Sequence, residues 1–161
     1  MTFIAKNAVI IGDVTLGKEV TVWYNSVIRG DANRIKIGNR TNIQDGTIIH
    51  VDHHAPTTIG NNVTVGHQCM LHGCTIQDGA LIGMSSIVLN EAVIGENSMI
   101  GAGSLVTQGT VIPPNVLAFG RPAKVIRPLT EEEITANQQN IDHYCEMGVA
   151  HQAGVYPEWT E

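Results

Sequence analysis

A six-residue spacing of aliphatic residues runs through most of this chain and restricts its fold more than any other feature. The middle of the chain holds an unbroken series of such anchors: Ile76, Ile82, Val88, Ile94, Ile100, Val106 and Ile112. The residue two places before each anchor is small or medium-sized, as at Ala80 and Ser86. A period of six fits neither an α-helix nor a simple alternating strand. It predicts a β-solenoid, in which short repeats stack as parallel coils.

The same spacing extends toward the N-terminus with two interruptions. The earlier anchors are Ile10, Leu16, Val22, Ile28, Ile37, Ile43, Ile49, Ile59, Val65 and Leu71. The gap before Ile37 predicts an outward loop at residues 31–33, and the gap before Ile59 predicts a second loop near residues 52–56. Known solenoids of this repeat length place three hexads in each coil. Each anchor should therefore stack on the anchor three places earlier in the series, about 4.8 Å away.

Three histidines have positions that this register determines. His50 and His72 each directly follow the first anchor of successive coils, so we expect them to stack on one outer face. Arg29 occupies the same column one coil below. His67 stands two places after its anchor, near another corner, in the column of Asp45. Its own chain cannot easily aim His67 at the pair, but a neighbouring chain could, which is the pattern of a site shared across an oligomer interface.

The repeat ends at Pro113 and Pro114, and a helix follows. Thr130 suits its N-cap and Glu133 completes a capping box, so we expect the helix to run to about Met147, before a glycine. We assign residues 1–128 to a β-helix domain and residues 129–161 to a C-terminal helix and tail packed on it. The predicted class is an all-β solenoid with one C-terminal α-helix.

Charge and hydropathy narrow the range of partners. The formal net charge is −6, from 15 acidic and 9 basic residues, and the sequence has no Lys/Arg cluster. This argues against nucleic acid and membrane as partners. No apolar run has the length of a membrane span, and the N-terminus lacks the features of a signal peptide. A cytoplasmic location is therefore expected.

Three segments together resemble a known family. They are residues 27–31 (VIRGD), residues 42–50 (NIQDGTIIH) and residues 65–74 (VGHQCMLHGC). On these segments the chain is identified as a member of the γ-class carbonic anhydrases and their bacterial homologues, within the left-handed β-helix superfamily. A fourth segment, residues 120–124 (GRPAK), is similar but is shared more widely among hexapeptide proteins. The resemblance covers roughly the whole chain and implies a left-handed parallel β-helix of hexapeptide repeats.

The resemblance also implies a homotrimer with a metal site at each subunit interface. His50 and His72 would come from one subunit and His67 from its neighbour. Three imidazoles with an open position are typical of catalytic Zn²⁺, and the family also accepts Fe²⁺ or Co²⁺. The implied reaction is the reversible hydration of CO2 to bicarbonate by metal-bound hydroxide.

Further roles follow from the resemblance alone. Gln44 would orient hydroxide or bicarbonate, and Asn42 would help to hold CO2. Arg29 and Asp31 would pair across the subunit interface, and Tyr144 would reach the site from the C-terminal helix. The family's well-studied enzymes carry glutamates on long acidic loops that export the proton. The second loop here has His53 and His54 instead, and histidine titrates near neutrality and can shuttle protons.

Two other functions fit the same fold, because hexapeptide repeats alone do not specify an activity. One is an acyl-CoA transferase or thioesterase that uses the same trimer cleft, which predicts saturable CoA binding between subunits. The chain lacks the long extra loop and the basic patch for CoA phosphates that this function would favour. The other is a non-catalytic, metal-binding trimeric scaffold.

Overall fold

The computed structural model describes residues 1–160, which form a parallel β-solenoid of about six coils followed by one helix, α1 (Glu131–Gln152). The predicted fold class is confirmed. In chain order the strands are β1 (Phe3–Ile4), β2 (Val9–Leu16), β3 (Thr21–Val22), β4 (Val27–Ile37), β5 (Asn42–Ile43), β6 (Ile48–His50), β7 (Thr57–Ile59), β8 (Thr64–Val65), β9 (Met70–His72), β10 (Thr75–Ile76), β11 (Leu81–Ile82), β12 (Ile87–Val88), β13 (Val93–Ile94), β14 (Met99–Ile100), β15 (Leu105–Val106), β16 (Val111–Ile112), β17 (Val116–Gly120) and β18 (Ala123–Pro128).

The strands stack into three faces, as the spacing of the anchors predicted. The first face holds the N-terminal halves of β2 and β4, then β6, β9, β12 and β15. The second face holds the C-terminal halves of β2 and β4, then β7, β10, β13 and β16. The third face holds β1, β3, β5, β8, β11, β14 and β17, with β18 paired antiparallel at its end. The predicted register is confirmed, for example by the pairing of Ile49 with Leu71.

The anchors form the core. From Val22 to Ile112 each anchor is at most 2% exposed. The small residues before them turn the corners, and their buried hydroxyls bridge neighbouring coils. The Thr47 hydroxyl donates to the carbonyl of Gly66 at 3.0 Å, and the Ser86 hydroxyl donates to that of Gly101 at 3.2 Å. These bonds satisfy carbonyl groups that would otherwise be buried without a partner.

Of the two predicted loops, one is confirmed and one is wrong. Residues 52–56 leave the coil as a tight turn, in which Asp52 and Ala55 exchange backbone hydrogen bonds of 3.0 and 3.1 Å. Residues 31–33 are not a loop, because β4 runs through them. Their neighbour β2 also continues around this corner and pairs Gly12 with Gly30 and Val14 with Ile35, so residues 31–34 form a bulge in β4 opposite Asp13. The extra residues of the gap are absorbed inside a bent pair of strands.

The helix begins as predicted and ends later than predicted. The Thr130 side chain accepts from the backbone N–H of Glu133, and the Glu133 side chain accepts from that of Thr130. The predicted end near Met147 is wrong, because α1 continues to Gln152 through a buried Gly148. No helix within residues 1–160 is long and apolar enough to cross a membrane.

Gly148 lies where α1 meets the third face, and it is a contact residue rather than a helix terminator. A Cβ at this position would lie 2.6 Å from Cγ2 of Thr21 and 3.2 Å from Cβ of Phe3. The absence of a side chain therefore permits the close approach of helix and sheet.

Replacing Gly148 with alanine tests this role. Alanine in a helix interior normally stabilises by roughly 0.5–1 kcal/mol relative to glycine. Here we expect Gly148→Ala to lower the free energy of unfolding, by about 1–3 kcal/mol, because overpacking outweighs helix propensity. Urea denaturation measures the change, with Gln139→Ala at an exposed position of the same helix as the control. A more stable Gly148→Ala variant would show that the contact is looser than described.

Candidate metal centre

The His50/His72 pair lies where β6 and β9 end on the first face. Ile49 and Leu71 are fully buried and pair in register, so the residues that follow them must point outward. The predicted stacking is confirmed: Nδ1 of His50 lies 3.1 Å from Nε2 of His72, and the ring centroids are 5.0 Å apart. Both side chains are half-buried.

Each imidazole of the pair has an acceptor on its outer side. Nε2 of His50 lies 2.9 Å from Oδ1 of Asp31, and Nδ1 of His72 lies 2.5 Å from Oδ1 of Asn90. A carboxylate and an amide oxygen can only accept, so each of these ring nitrogens carries a hydrogen and donates. The two inner nitrogens lie 3.1 Å apart, and if both rings are neutral both of these nitrogens carry lone pairs, which a shared proton or a cation would hold together.

This arrangement suits a cation. Two imidazole nitrogens that bind one tetrahedral Zn²⁺ at about 2.0–2.1 Å lie roughly 3.3 Å from each other, close to the 3.1 Å observed here. Histidines that bind metals usually donate their other N–H to a carboxylate, carbonyl or water. The donor set of the pair therefore fits half of a metal site.

His67 lies apart from the pair. It follows β8 on the third face, and its Nδ1 lies 2.9 Å from Oδ2 of Asp45, in the column that the sequence predicted. Like His50, it has a carboxylate beside one of its ring nitrogens. Within residues 1–160 of one chain, no group of three His, Cys, Asp or Glu side chains could hold a metal ion. The single chain brings two of the three predicted ligands together and leaves the third elsewhere.

Arg29 and Asp31 contact each other within one chain. They stand two residues apart on β4, on the same side of the strand, and form an ion pair. The hydrogen bond from His50, followed by that from Arg29, lowers the pKa of Asp31 to about 2, so Asp31 is ionised at neutral pH. The resemblance implied that Arg29 and Asp31 pair across subunits, whereas in the single chain they form an ion pair with each other.

Asn42 and Gln44 are buried on the third face, beside the strand that precedes His67. Nε2 of Gln44 donates to Oδ1 of Asn42 at 3.0 Å, and Nδ2 of Asn42 donates to the Thr64 hydroxyl at 3.0 Å. Asn140 of α1 reaches the same hydroxyl at 3.5 Å. The two amides are thus held in a fixed network beneath the helix.

Tyr144 lies on α1 and packs edge-on against Trp23, with ring centroids 5.6 Å apart. Burial and then the negative charge of Asp45 raise the pKa of its hydroxyl. The Tyr144 hydroxyl therefore interacts electrostatically with Asp45, the carboxylate beside His67. The structure places it in the His67 half of the predicted site, not beside the His50/His72 pair.

The turn at residues 52–56 lies beside the pair. Its His53 and His54 side chains are exposed. The pKa of Asp52 is lowered, chiefly by a hydrogen bond from the backbone N–H of His54. Desolvation acts in the opposite direction, and the hydrogen bond from Asn90 lowers the pKa further. Asn33 donates to the carbonyls of Asp52 and His53 and holds the turn against β4.

Two residues that contact the histidine pair were missed by the sequence analysis. Asn90 accepts from His72 and donates to Asp52 at 3.2 Å. Thr57 donates to the carbonyl of His50 at 2.7 Å and accepts from the N–H of Gly73 at 2.9 Å, which ties the two strands together. Thr57 was visible only as a small residue before an anchor, and Asn90 only as a polar residue one coil above His72.

Comparisons with known proteins identify the family. Two hexapeptide family models match, "Bacterial transferase hexapeptide (six repeats)" over residues 73–108 and "Hexapeptide repeat of succinyl-transferase" over residues 56–89. A carbonic anhydrase of Geobacillus kaustophilus is 52% identical over 94% of this chain and 83% of its own. Gamma carbonic anhydrase 2 of Arabidopsis thaliana, a mitochondrial protein, is 44% identical over 92% of this chain and 56% of its own. The chain belongs to the γ-class carbonic anhydrase family of hexapeptide-repeat proteins, as its sequence motifs predicted. The names of these relatives describe an enzyme, carbonic anhydrase, which is a lyase.

Solved structures agree on the fold. A Bacillus cereus protein described as a candidate acetyltransferase has a TM-score of 0.93 at 50% identity, over 94% of this chain and 88% of its own. A hexapeptide transferase family protein from Anaplasma phagocytophilum has a TM-score of 0.89 at 47% identity, over 92% and 88%. These similarities confirm the hexapeptide β-helix.

Proposed function

We propose that this protein is a metal-dependent carbonic anhydrase that interconverts CO2 with bicarbonate and a proton. The site would lie at each interface of a homotrimer, with His50 and His72 from one subunit and His67 from its neighbour. One observation carries the proposal: each of the three histidines has an oxygen atom beside one ring nitrogen, from Asp31, Asn90 and Asp45, and the other ring nitrogens of His50 and His72 lie 3.1 Å from each other. Isolated surface histidines have no reason to share this feature.

Three neutral imidazoles would hold Zn²⁺, or Fe²⁺ or Co²⁺, and a metal so held lowers the pKa of a bound water to about 7, which makes hydroxide available at neutral pH. The chain's own residues would position the reactants. Gln44, fixed by Asn42, would orient the oxygen atoms of CO2 and bicarbonate, and Asn42 would border the same cavity. Arg29 would supply positive charge near the bicarbonate anion, and Asp31 would orient His50.

The outer surface of the first face supports the trimer. The residues one place before its anchors point outward and are all apolar: Val9, Val27, Ile48, Met70, Ile87 and Leu105. We call this column the apolar ladder. Ile48 and Met70 are each 41% exposed. The second face differs, because its corresponding outward residues include the polar Thr58 and Thr75. Large exposed apolar patches mark interaction sites, and this ladder is continuous with the His50/His72 pair.

Proton export and location complete the proposal. His53 and His54 are exposed on the turn beside the pair and would pass the proton to bulk water. Tyr144 would border the His67 side of the site. The domain that holds the ligands comprises residues 1–128, with residues 129–161 as the helix and tail; Glu161 lies outside the described residues. We place the enzyme in the cytoplasm, without nucleic-acid or membrane partners.

An acyl-CoA transferase or thioesterase is the second candidate, favoured by the description of the Bacillus cereus structure as a candidate acetyltransferase. The N-acyltransferase AntD of Bacillus cereus, solved with coenzyme A, has a TM-score of 0.75 but only 16% identity, so it shows the shared fold alone. A metal-binding scaffold without activity is the third candidate.

Metal analysis, stopped-flow CO2 hydration and a CoA-binding titration on the same preparation separate these candidates. We expect one metal per chain, hydration that depends on that metal, and no saturable CoA binding. Metal without hydration would favour the scaffold. Saturable CoA binding without tightly bound metal would favour the acyl-CoA function and overturn the proposal.

A further inference from the structure

We propose that Asn90 and Asp52 form a clamp that fixes the ring orientation and tautomer of His72. Asn90 is thus a positioning residue, which acts through His72 rather than on a substrate. The inference rests on the proposed role of His72 as a ligand, because only a ligand needs its lone pair aimed at one point. None of the three sequence segments that identify the family contains Asn90.

The clamp follows from the direction of two hydrogen bonds. Nδ2 of Asn90 lies 3.2 Å from Oδ2 of Asp52, and a carboxylate can only accept, so the amide nitrogen of Asn90 must face Asp52. The amide oxygen is then turned toward His72, 2.5 Å from its Nδ1. That ring nitrogen must carry the hydrogen, so in the neutral ring the lone pair resides on Nε2, the atom that faces His50.

The far end of the clamp is anchored. Asp52 exchanges backbone hydrogen bonds with Ala55, and its carbonyl accepts from Asn33 at 3.2 Å. Asn90 and Asp52 are both half-buried, which limits competition from water. The contact joins residues 38 positions apart, so the turn that leaves the solenoid returns to hold a residue one coil above His72.

Because its side chain is an amide, Asn90 has no role in proton transfer. Near neutral pH an asparagine amide neither gains nor loses a proton, so Asn90 can direct His72 but cannot relay its proton to Asp52. A carboxylate in the same place would act differently, because it would strengthen the ligand's basicity. The clamp sets geometry and leaves proton export to other groups.

Three variants test the clamp. Asn90→Ala removes the acceptor. The double variant Asp52→Asn with Asn90→Asp exchanges the two side chains, so that an amide can still donate to a carboxylate that faces His72. Asn61→Ala is the matched control, because Asn61 also donates to an aspartate, Asp78 at 3.0 Å, on another corner of the solenoid. All three are measured as full chains in their native assembly.

Two readouts are needed. Nitrogen NMR of the metal-free protein reports the tautomer of His72, and chelator competition reports its affinity for Co²⁺. Asn90→Ala should shift His72 from the Nδ1–H form toward a mixture and weaken Co²⁺ binding by about 10–100-fold, the usual cost of losing a ligand's outer partner. The exchanged pair should recover the Nδ1–H form and bind Co²⁺ at least as tightly as wild type, because a carboxylate then faces His72, and Asn61→Ala should change neither readout.

An unchanged tautomer and Co²⁺ affinity in Asn90→Ala would overturn the clamp. So would an equal loss in Asn61→Ala, or a failure of the exchanged pair to recover the Nδ1–H form. If the wild-type protein binds no Co²⁺, the proposed function fails. The tautomer measurement still decides the clamp in that case, because it needs no metal.

Discussion

Replacing His72 with alanine is expected to remove the tightly bound metal and to lower CO2 hydration by more than about 100-fold. The loss should exceed the 10–100-fold effect of removing only an outer partner, because the ligand itself is gone. Without His72, the ring nitrogen of His50 would be the only one left on this face to bind the cation. Metal analysis after dialysis and stopped-flow hydration at saturating Zn²⁺ measure the two effects.

The control is His143→Ala, which removes an exposed histidine on α1. It should keep the metal and the activity of the wild-type protein. Circular dichroism and the molecular mass of each variant show whether fold and assembly survive. A correctly assembled His72→Ala protein with wild-type hydration would show that the activity comes from somewhere else.

A charge on the apolar ladder is expected to have an equally large effect on assembly. In Met70→Glu the carboxylate would have to be buried between subunits without a partner, which costs several kcal/mol per ion. We expect the mass in sedimentation velocity to fall about threefold, from trimer to monomer. Tight metal binding should be lost with it, although His50, His67 and His72 are all unchanged.

Val111→Glu is the matched control, because it places the same charge on the second face, at a residue that is 67% exposed. It should remain trimeric and keep its metal. A Met70→Glu protein that stays trimeric would exclude the ladder as the interface. A monomer that keeps stoichiometric, tightly bound metal would contradict the shared site.

The fold was readable from the sequence because a solenoid is repetitive. Once Ile49 and Leu71 are taken as buried anchors one coil apart, the register of the residues around them follows without knowledge of the rest. The two errors fall where the repeat gives no information. Residues 31–33 form a bulge within β4 because β2 pairs with β4 on both sides of them. The helix α1 continues through Gly148 because this glycine packs against Thr21 where the helix meets the sheet.

The candidate site was readable only in part, for a related reason. The division of the histidines into a stacked pair and a separate His67 follows from register. The outer acceptor of His72 does not, because Asn90 is positioned by Asp52 on a turn that lies outside the repeat. The partner choice of Arg29 and Asp31 also depends on side-chain conformation, which spacing alone leaves open.

Mixing two inactive variants tests the shared site most directly. His72→Ala keeps an intact His67, and His67→Ala keeps an intact His50/His72 pair. If each site takes its pair from one subunit and His67 from the next, every mixed trimer contains one complete site. Random assembly of equal amounts makes about three quarters of the trimers mixed, so about a quarter of the wild-type sites should return. We expect metal content and CO2 hydration to recover to that level after the two chains are unfolded and refolded together, and not when they are mixed without subunit exchange. No recovery in trimers shown to contain both chains would contradict the shared site.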